Sequence, residues 1–420
     1  MGGSRGLRFS SPAQPARLVK IVDVSESYSE RGGGVRTYVH HKLAAAARAG
    51  HEMVIVAPGH EDREDEVEGG RIVWVKGPRS PFDDRYGLFT RPSAIHEVLD
   101  REDADVVEGS SPLGGGWAVA KWEGRARKSF VFHTDPVAVW PETFLAPRLG
   151  FARVDRWSAP IWSGLRRLAK GYDVTVVSGG WLGRRIEEHG VRGAQVVPFG
   201  IDKRGFSPLH RDESVRARLL ADCGLSPDAD LLISVSRLDP EKRVPTMLDG
   251  FRLAARQRPM GLVLFGRGAM ERSIRRKIAR IPGVELAGYV GSREEMAAAM
   301  ASADGLLHGS AAETYGLVVA EAICSGVPIV VPDRGGAAAL AGPGYAETYA
   351  AGDAEACSRG ILRLLARDRG QLRSACAAAA RRIGTMDEHF EGLFSLYEGL
   401  SGQRAPARVP GTIPRLRVAS

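Results

Sequence analysis

The chain has 420 residues, more than one hydrophobic core usually organises, so its length predicts two domains. Its 44% hydrophobic and 26% charged residues are typical of a globular protein, and no apolar run approaches the roughly 20 residues that span a bilayer. The net charge of +8 favours anionic ligands or anionic membrane surfaces, and because no nucleic-acid-binding motif accompanies it, we expect no nucleic acid as partner. The absence of an apolar signal segment predicts a cytoplasmic protein.

The first half of the chain alternates strand and helix patterns. Residues 1–16 are rich in Gly, Ser and Pro, which predicts a flexible N-terminus. From Arg17 onward the alternation predicts βαβ units and a parallel sheet, and we assign residues 17–204 to an N-terminal domain. Its strand candidates are Leu18–Val24, Met53–Ala57, Ile72–Val75, Val106–Glu108, Phe130–His133 and Val174–Val177.

A polar, Pro-containing connection between Val196 and Pro208 marks the predicted domain boundary. The second domain, 205–385, repeats the alternation, with strand candidates Leu231–Ser236, Leu262–Gly266, Val284–Leu286, Gly305–His308 and Ile329–Val331. An amphipathic helix is predicted over 386–400, followed by a basic, disordered tail over 401–420. The fold class is therefore α/β, with two doubly wound, Rossmann-like parallel-sheet domains facing a cleft.

Two glutamates flank a predicted strand-to-helix junction in the second domain. Glu313 follows the strand Gly305–His308, on the kind of loop where ligands bind in open α/β sheets. Glu321 lies in the helix that this loop enters near Gly316. The amides at the start of that helix can receive an anion, while the two carboxylates can bind hydroxyl groups.

A second group of candidates follows the first strand of the same domain. Arg237 and Lys242 stand at its carboxyl end, where a guanidinium and an ammonium can bind phosphate oxygens. The alternative is a solvated basic loop in which Asp239 and Glu241 neutralise these cations.

Glycine-rich turns provide weaker candidates. Gly266, between Phe265 and Arg267, permits a close approach to a ligand, although a simple turn explains it equally well. Tyr289 and Val290 end another strand and could line a pocket for a flat base. Three glycines, at 32–34, precede the first helix. They leave room for a phosphate or sugar, or else form a flexible connection. They are not the dinucleotide-binding fingerprint, because GxGxxG spacing is absent.

Other chemistries have little support in the sequence. His133, after the strand Phe130–His133, could bind a substrate hydroxyl or stabilise developing charge, although a lone histidine is more often structural. No HxH, HExxH or DxD pattern is present, and the four cysteines lack CxxC spacing, so we predict no metal.

The segment 148–170 mixes arginines with Trp157 and Trp162. A basic, tryptophan-bearing helix can lie on an anionic membrane, and an ordinary half-buried helix explains the pattern equally well. Peripheral contact with the inner membrane face through 148–170 is therefore a candidate.

In this order and spacing, the motifs resemble glycosyltransferase family four, the retaining nucleotide-sugar-dependent enzymes of the GT-B fold. The resemblance covers nearly the whole ordered chain. The matching pieces are Gly33-Gly34-Val35, Ala49–Val54, His133, Val197–Asp202 with Phe206 and Pro208, Ser236-Arg237, Lys242, Glu313–Glu321 and Gly326-Val327-Pro328. Two departures stand out, because Ala337–Leu340 replaces a commonly acidic position and Pro141–Lys170 matches no acceptor motif.

The resemblance implies catalytic roles for His133, Arg237, Lys242 and Glu313. Arg237 and Lys242 would neutralise the donor diphosphate, Glu313 would bind the donor sugar, and His133 would contact that sugar. Glu321 would bind the ribose hydroxyls. The full donor-binding set is Gly33, Gly34, Gly266, Tyr289, Val290, Thr314, Tyr315, Gly316, Leu317 and Glu321.

The implied activity is the retaining transfer of a hexose, mannose or glucose, from a nucleoside-diphosphate sugar. The acceptor would be a hydroxyl of a glycolipid, a saccharide or a small metabolite, and neither cofactor nor metal is expected. A catalytically idle nucleotide-sugar-binding regulator and a sucrose-type glucosyltransferase are the alternatives.

Overall fold

A computed structural model describes residues 18–31, 33–81, 83 and 85–402. The predicted N-terminus (1–16), Gly32 of the glycine loop and nearly all of the predicted tail (401–420) lie outside these residues. Two parallel-sheet α/β domains are present, as the sequence predicts.

The first sheet has eight strands in the order β3-β4-β2-β1-β5-β6-β7-β8 and is parallel except for the β3–β4 pair. The order reverses beside β1, which pairs with β2 on one side and β5 on the other. The strands are β1 (Lys20–Val24), β2 (Glu52–Gly59), β3 (Arg63–Val67), β4 (Gly70–Lys76), β5 (Val106–Gly109), β6 (Arg127–Phe132), β7 (Val174–Val177) and β8 (Gln195–Val196). The helices are α1 (Gly34–Arg48), α2 (Pro92–Glu102), α3 (Gly114–Lys121), α4 (Pro136–Val139), α5 (Pro141–Leu149), α6 (Phe151–Trp157), α7 (Ala159–Ala169) and α8 (Gly180–Glu188).

The second sheet has six parallel strands in the order β11-β10-β9-β12-β13-β14, and its order reverses beside β9. The strands are β9 (Asp230–Val235), β10 (Met260–Phe265), β11 (Val284–Gly288), β12 (Gly305–Leu307), β13 (Ile329–Pro332) and β14 (Ala346–Tyr349). The helices are α9 (Glu213–Asp222), α10 (Val244–Ala254), α11 (Glu271–Ile278), α12 (Arg293–Ser302), α13 (Leu317–Cys324), α14 (Gly335–Ala339), α15 (Ala354–Leu365), α16 (Arg369–Ala380) and α17 (Met386–Ser401). Two short 3-10 helices cover Pro208–His210 and Pro240–Lys242.

The last helix, α17, packs on the first domain. Phe390, Leu393, Phe394 and Tyr397 are buried in the same apolar cluster as β1 and α1. The chain passes from the first domain to the second near Ile201 and returns near Thr385. These two segments lie side by side, since Ile201 forms a β-bridge with Thr385. The two domains are thus joined by adjacent chain segments, an arrangement that permits hinge motion.

A buried ionic network fixes α17 to the sheet. Lys42 on α1 is fully buried, and its Nζ lies 3.0 Å from Asp23 Oδ2 and 2.6 Å from Glu108 Oε2. Tyr397 on α17 donates its hydroxyl proton to the same Glu108 oxygen. Because buried charges are stable only when paired and hydrogen-bonded, the donor on α17 supports Glu108 Oε2, whereas Glu108 Oε1 has no hydrogen-bond partner among the described residues.

Three strands were missed by the sequence patterns: β3, β8 and β14. β3 is the clearest case, because its sequence REDEV has no buried residue and pairs only along one edge of β4. The predicted basic helix over 148–170 is likewise divided among α5, α6 and α7, with Pro160 in the first turn of α7.

Candidate active site

The candidate site lies where the strand order of the second sheet reverses. β9 and β12 are neighbours there, and the loops after their carboxyl ends carry Lys242 and Glu313. Lys242 Nζ donates to Glu313 Oε1 at 2.7 Å, so two segments 71 residues apart in sequence meet. Ligands of open α/β sheets bind at this kind of crevice.

The charges around Glu313 keep it ionised. Burial, the largest single influence, would raise the pKa of Glu313, but the charge and hydrogen bond of Lys242, together with the charges of His308 and Arg237, lower that pKa to about 2. The ion pair is therefore present at every physiological pH, in a pocket that leaves about a fifth of each side chain exposed.

His308 is a residue of this site that the sequence patterns did not single out. It follows β12, it is buried, and its Nε2 lies 3.7 Å from Glu313 Oε1 without a hydrogen-bond partner among the described residues. Burial lowers the pKa of His308 to about 4, so the ring is neutral at pH 7. Its signal in the sequence was its position at a strand's carboxyl end, the same position as His133.

Arg237 has the partners that the alternative interpretation of its loop predicted. Its guanidinium lies 2.8 Å from Asp239 Oδ2 and 3.1 Å from Glu241 Oε1, and the side chain is 65% exposed. It stands close enough to Glu313 for its charge to contribute to the low pKa of that carboxyl. A phosphate would either share the exposed guanidinium with these carboxylates or displace them.

The loop from Thr314 to Leu317 joins Glu313 to α13. Gly316 has φ of 94°, a left-handed conformation that glycine adopts without strain, and it precedes the exposed Leu317 at the start of α13. Gly336 of α14 donates its amide to the Glu313 carbonyl at 2.6 Å, and a Cβ on Gly336 would lie 2.5 Å from the Tyr315 nitrogen. The start of α14 is therefore packed directly against the loop. This helix contains the alanines of Ala337–Leu340, where the sequence departs from the family pattern.

Glu321 lies one helical turn further along α13. Burial raises the pKa of Glu321 to about 7, and Arg293 opposes that rise. Its carboxylate makes no hydrogen bond or ion pair with the part of the chain that the structure describes, so it is available to hydroxyl groups.

The other candidates of the second domain differ in their surroundings. Gly266 has φ of 135°, and a Cβ there would lie 1.9 Å from the Ser236 carbonyl oxygen, so packing against β9 already requires glycine. Tyr289 is 71% exposed beside the half-buried Val290, and its ring is accessible to a ligand.

The first domain contributes His133 and the glycine loop. His133 is half-buried, its ring stacks on Phe199 at 5.4 Å, and its buried Nδ1 has no hydrogen-bond partner among the described residues. Burial, helped by the charge of Lys42, lowers the pKa of His133 to about 3, so the ring is a neutral imidazole. Gly33 precedes α1 with φ of 103°, and a Cβ on Gly34 would meet open space.

The loop after Glu313 touches the first domain. Thr314 Oγ1 donates to the backbone carbonyl of His133 at 2.8 Å, and Tyr315 packs edge-on against Phe199 with ring centroids 5.8 Å apart. Both side chains are engaged between the domains, so donor contacts from Thr314 and Tyr315 would use their backbone groups. A cavity of about 920 Å³ adjoins this contact, but neither Lys242 nor Glu313 lines it.

A second interdomain contact lies beside Lys242. Arg243 has left-handed backbone angles, φ 49° and ψ 33°, and its Nη2 donates to the Glu142 carbonyl on α5 at 3.1 Å. Its guanidinium lies 5.3 Å from the Phe151 ring centroid, and that of Arg334 lies 4.2 Å from the same centroid. We call Glu142, Phe151, Arg243 and Arg334 the interdomain clasp.

Comparison with known proteins identifies the family. The model for Glycosyltransferase Family 4 matches residues 32–204, and that for Glycosyl transferases group 1 matches residues 217–383. A GDP-mannose-dependent alpha-mannosyltransferase of Mycolicibacterium smegmatis is 30% identical over 333 residues, which cover 77% of this chain and 82% of that protein. The chain belongs to glycosyltransferase family 4.

Two further proteins agree with this assignment. The GDP-mannose-dependent alpha-(1-6)-phosphatidylinositol dimannoside mannosyltransferase of Mycobacterium tuberculosis is 26% identical over 315 residues, 74% of this chain and 79% of that one. The structure of sucrose-phosphate synthase from Thermosynechococcus elongatus superposes with a TM-score of 0.73 at 17% identity, covering 92% of this chain and 100% of that chain. The glycosyltransferase therefore has the predicted GT-B fold.

The described residues show neither a metal-binding cluster nor a membrane-spanning helix. No group of three or more His, Cys, Asp or Glu side chains there is arranged to hold a metal ion. No helix in that part of the chain combines the length and the apolar character needed to cross a bilayer.

Proposed function

We propose that this glycosyltransferase moves mannose from GDP-mannose to a hydroxyl of a glycolipid, with retention of anomeric configuration and without a metal ion. The observation that carries the proposal is the Lys242–Glu313 pair, which sets a fixed cation and an ionised carboxylate at the strand-order reversal of the second sheet. Relatives named as GDP-mannose-dependent mannosyltransferases support the donor, and one whose name specifies a phosphatidylinositol dimannoside supports the lipid acceptor.

The donor would bind along the second domain. Lys242 and Arg237 would contact the diphosphate, together with the backbone amides at Gly316 and Leu317. Glu321, whose carboxylate is unpaired among the described residues, would accept hydrogen bonds from the ribose hydroxyls. Glu313 would bind hydroxyls of mannose. Tyr289 and Val290 would line the pocket that holds the guanine base.

The reaction would occur on one face of the sugar. The bond between the anomeric carbon and the diphosphate oxygen breaks while the acceptor oxygen bonds to the same carbon from the same side. The acceptor proton passes to the departing diphosphate oxygen, so configuration is retained and charge is balanced. Lys242 and Arg237 would stabilise the charge that develops on the diphosphate, which is the role a metal ion has elsewhere. The neutral His133, whose Nδ1 is unpaired among the described residues, would donate or accept a hydrogen bond at the sugar.

Ligand-dependent stability tests the donor site. Because a ligand that binds only the folded state stabilises it, GDP and GDP-mannose should raise Tm more than UDP does. Lys242→Ala should abolish the rise. Its matched control is Lys277→Ala, which removes an ammonium paired with Asp249 at the same 2.7 Å on the surface of α10 and α11. Equal stabilisation of the two variants by GDP would contradict the assignment of Lys242.

Product analysis tests the chemistry. With GDP-mannose and a phosphatidylinositol mannoside as acceptor, we expect an α-linked product by NMR and unchanged turnover after EDTA treatment. A β-linked product would exclude retention, and loss of turnover that added Mg²⁺ restores would exclude the metal-free mechanism.

A further inference from the structure

The helices α5 and α6, which follow β6, expose large apolar side chains to solvent. Trp140, Phe144 and Leu145 are 52%, 58% and 43% exposed, and Trp157 is 61% exposed. Trp140 directly precedes α5, which carries Phe144 and Leu145, and Trp157 is the last residue of α6. Exposed aromatic side chains in such a concentration mark an interaction surface.

The charges on these helices have one sign at the surface. Arg148, Arg153 and Arg156 are exposed and make no ion pair with any described residue. The only acidic residues between positions 140 and 170 are Glu142 and Asp155, and both are occupied by Arg185, at 2.7 Å and 3.2 Å. The surface thus combines interfacial aromatic residues with uncompensated arginines, the combination that binds an anionic lipid surface.

The same helices contact the candidate active site. Phe151, at the start of α6, contacts the guanidinium groups of Arg243 and Arg334 in the interdomain clasp, and Arg243 is the residue next to Lys242. A bilayer bound to α5 and α6 would therefore lie next to the donor-binding loops. A glycolipid hydroxyl at the membrane surface would need to travel little to reach the cleft.

We propose that α5 and α6 form a membrane-docking surface, which inserts Trp140, Phe144 and Trp157 into the headgroup region of an anionic bilayer and neutralises lipid phosphates with Arg148, Arg153 and Arg156. This proposal deepens the proposed function, on which it rests for the lipid acceptor. Docking itself requires neither donor nor acceptor, so the two can fail separately.

Vesicle co-sedimentation of the full chain, without substrates, tests the surface. We expect binding to vesicles of equal parts phosphatidylcholine and phosphatidylglycerol, and none to pure phosphatidylcholine. An arginine near an anionic surface contributes about 1 kcal/mol, so replacing Arg148, Arg153 and Arg156 with glutamine should weaken partitioning by roughly 100-fold. The matched control replaces Arg272, Arg276 and Arg280, exposed on or just after α11, and should bind like the unmodified protein.

The apolar part has its own variant and control. Replacing Trp140, Phe144 and Trp157 with serine should abolish sedimentation, whereas Leu209→Ser, at a side chain 92% exposed elsewhere, should have no effect. Each variant is also assayed for the GDP-dependent rise in Tm, which reports the fold and the donor site. Either of two results overturns the docking surface. In one, the α11 control loses vesicle binding as much as the α5–α6 arginine variant does. In the other, both α5–α6 variants bind vesicles as well as the unmodified protein. Absence of the GDP response in every protein, with vesicle binding intact, overturns the proposed donor site alone.

Discussion

Replacing Glu313 with glutamine separates its structural role from its predicted contact with the donor sugar. The pKa of Glu313 falls from an ordinary value of 4.5 to about 2, which corresponds to about 3 kcal/mol in favour of the ionised, folded form. Part of that lowering requires a positive charge on His308, which the ring does not carry at pH 7. We therefore expect Glu313→Gln to lower the free energy of unfolding at pH 7 by about 2 kcal/mol.

The assay is urea denaturation at several pH values. Because the folded pKa lies below the unfolded one, the stabilisation is complete above about pH 4.5 and is lost only as the pH falls towards 2. The difference between Glu313→Gln and the unmodified protein should therefore be constant from pH 6 to pH 8. Asp249→Asn, which breaks the more exposed 2.7 Å pair with Lys277, should cost at most about 1 kcal/mol.

The same variant distinguishes the diphosphate from the sugar. GDP should still stabilise Glu313→Gln, because Lys242 remains and loses its competing carboxylate. The additional stabilisation by GDP-mannose and the transfer activity should both be lost. A variant that unfolds like the unmodified protein, or that retains full transfer, would refute this account of Glu313.

Three further predictions concern backbone strain, ionisation and a buried hydrogen bond. Arg243→Ala and Arg243→Gly both lose the interdomain clasp, but only alanine is strained in the left-handed backbone at φ 49°. In urea denaturation, Arg243→Ala should therefore be less stable than Arg243→Gly by about 1 kcal/mol, and the reverse order would contradict strain at this position. Because burial raises the pKa of Glu321 to about 7, calorimetry should find GDP binding about fivefold weaker at pH 6 than at pH 7, and Glu321→Gln should remove this dependence. Tyr397→Phe removes the donor to buried Glu108 and should lower the unfolding free energy by about 1–3 kcal/mol, whereas Tyr289→Phe at an exposed ring should leave it unchanged.

The buried parallel strands were predictable from the sequence because their apolar runs have a single physical explanation. Val174–Val177 is predicted and observed with identical bounds, and the strand predicted at Val106–Glu108 extends by one residue to Gly109. The edge strand β3 could not be predicted, because its charged residues satisfy no burial pattern and its pairing depends on β4.

The loops that carry the candidate site were predictable from the sequence, but the side chains that its residues contact were not. Strand ends identified Lys242, Glu313 and His133, because parallel strands bring their carboxyl ends to one edge. Sequence alone could not decide between phosphate and carboxylate partners for Arg237, since both lie within reach of its long side chain. The clasp around Phe151 was also hidden, because it depends on how two domains meet across a cleft.

The return of α17 has a consequence for the order in which the protein is made. The first domain leaves the ribosome with β1 to β8 but without the helix that supplies Phe390, Leu393 and Tyr397 to its core. The second domain, by contrast, is complete in sequence before α17 is synthesised. Domains commonly fold in the order of synthesis, but here the one made first must wait for the last helix. Glu108 and Lys42 are thus without Tyr397 until translation is nearly finished, and a fragment ending at residue 204 would stay in that unfinished state.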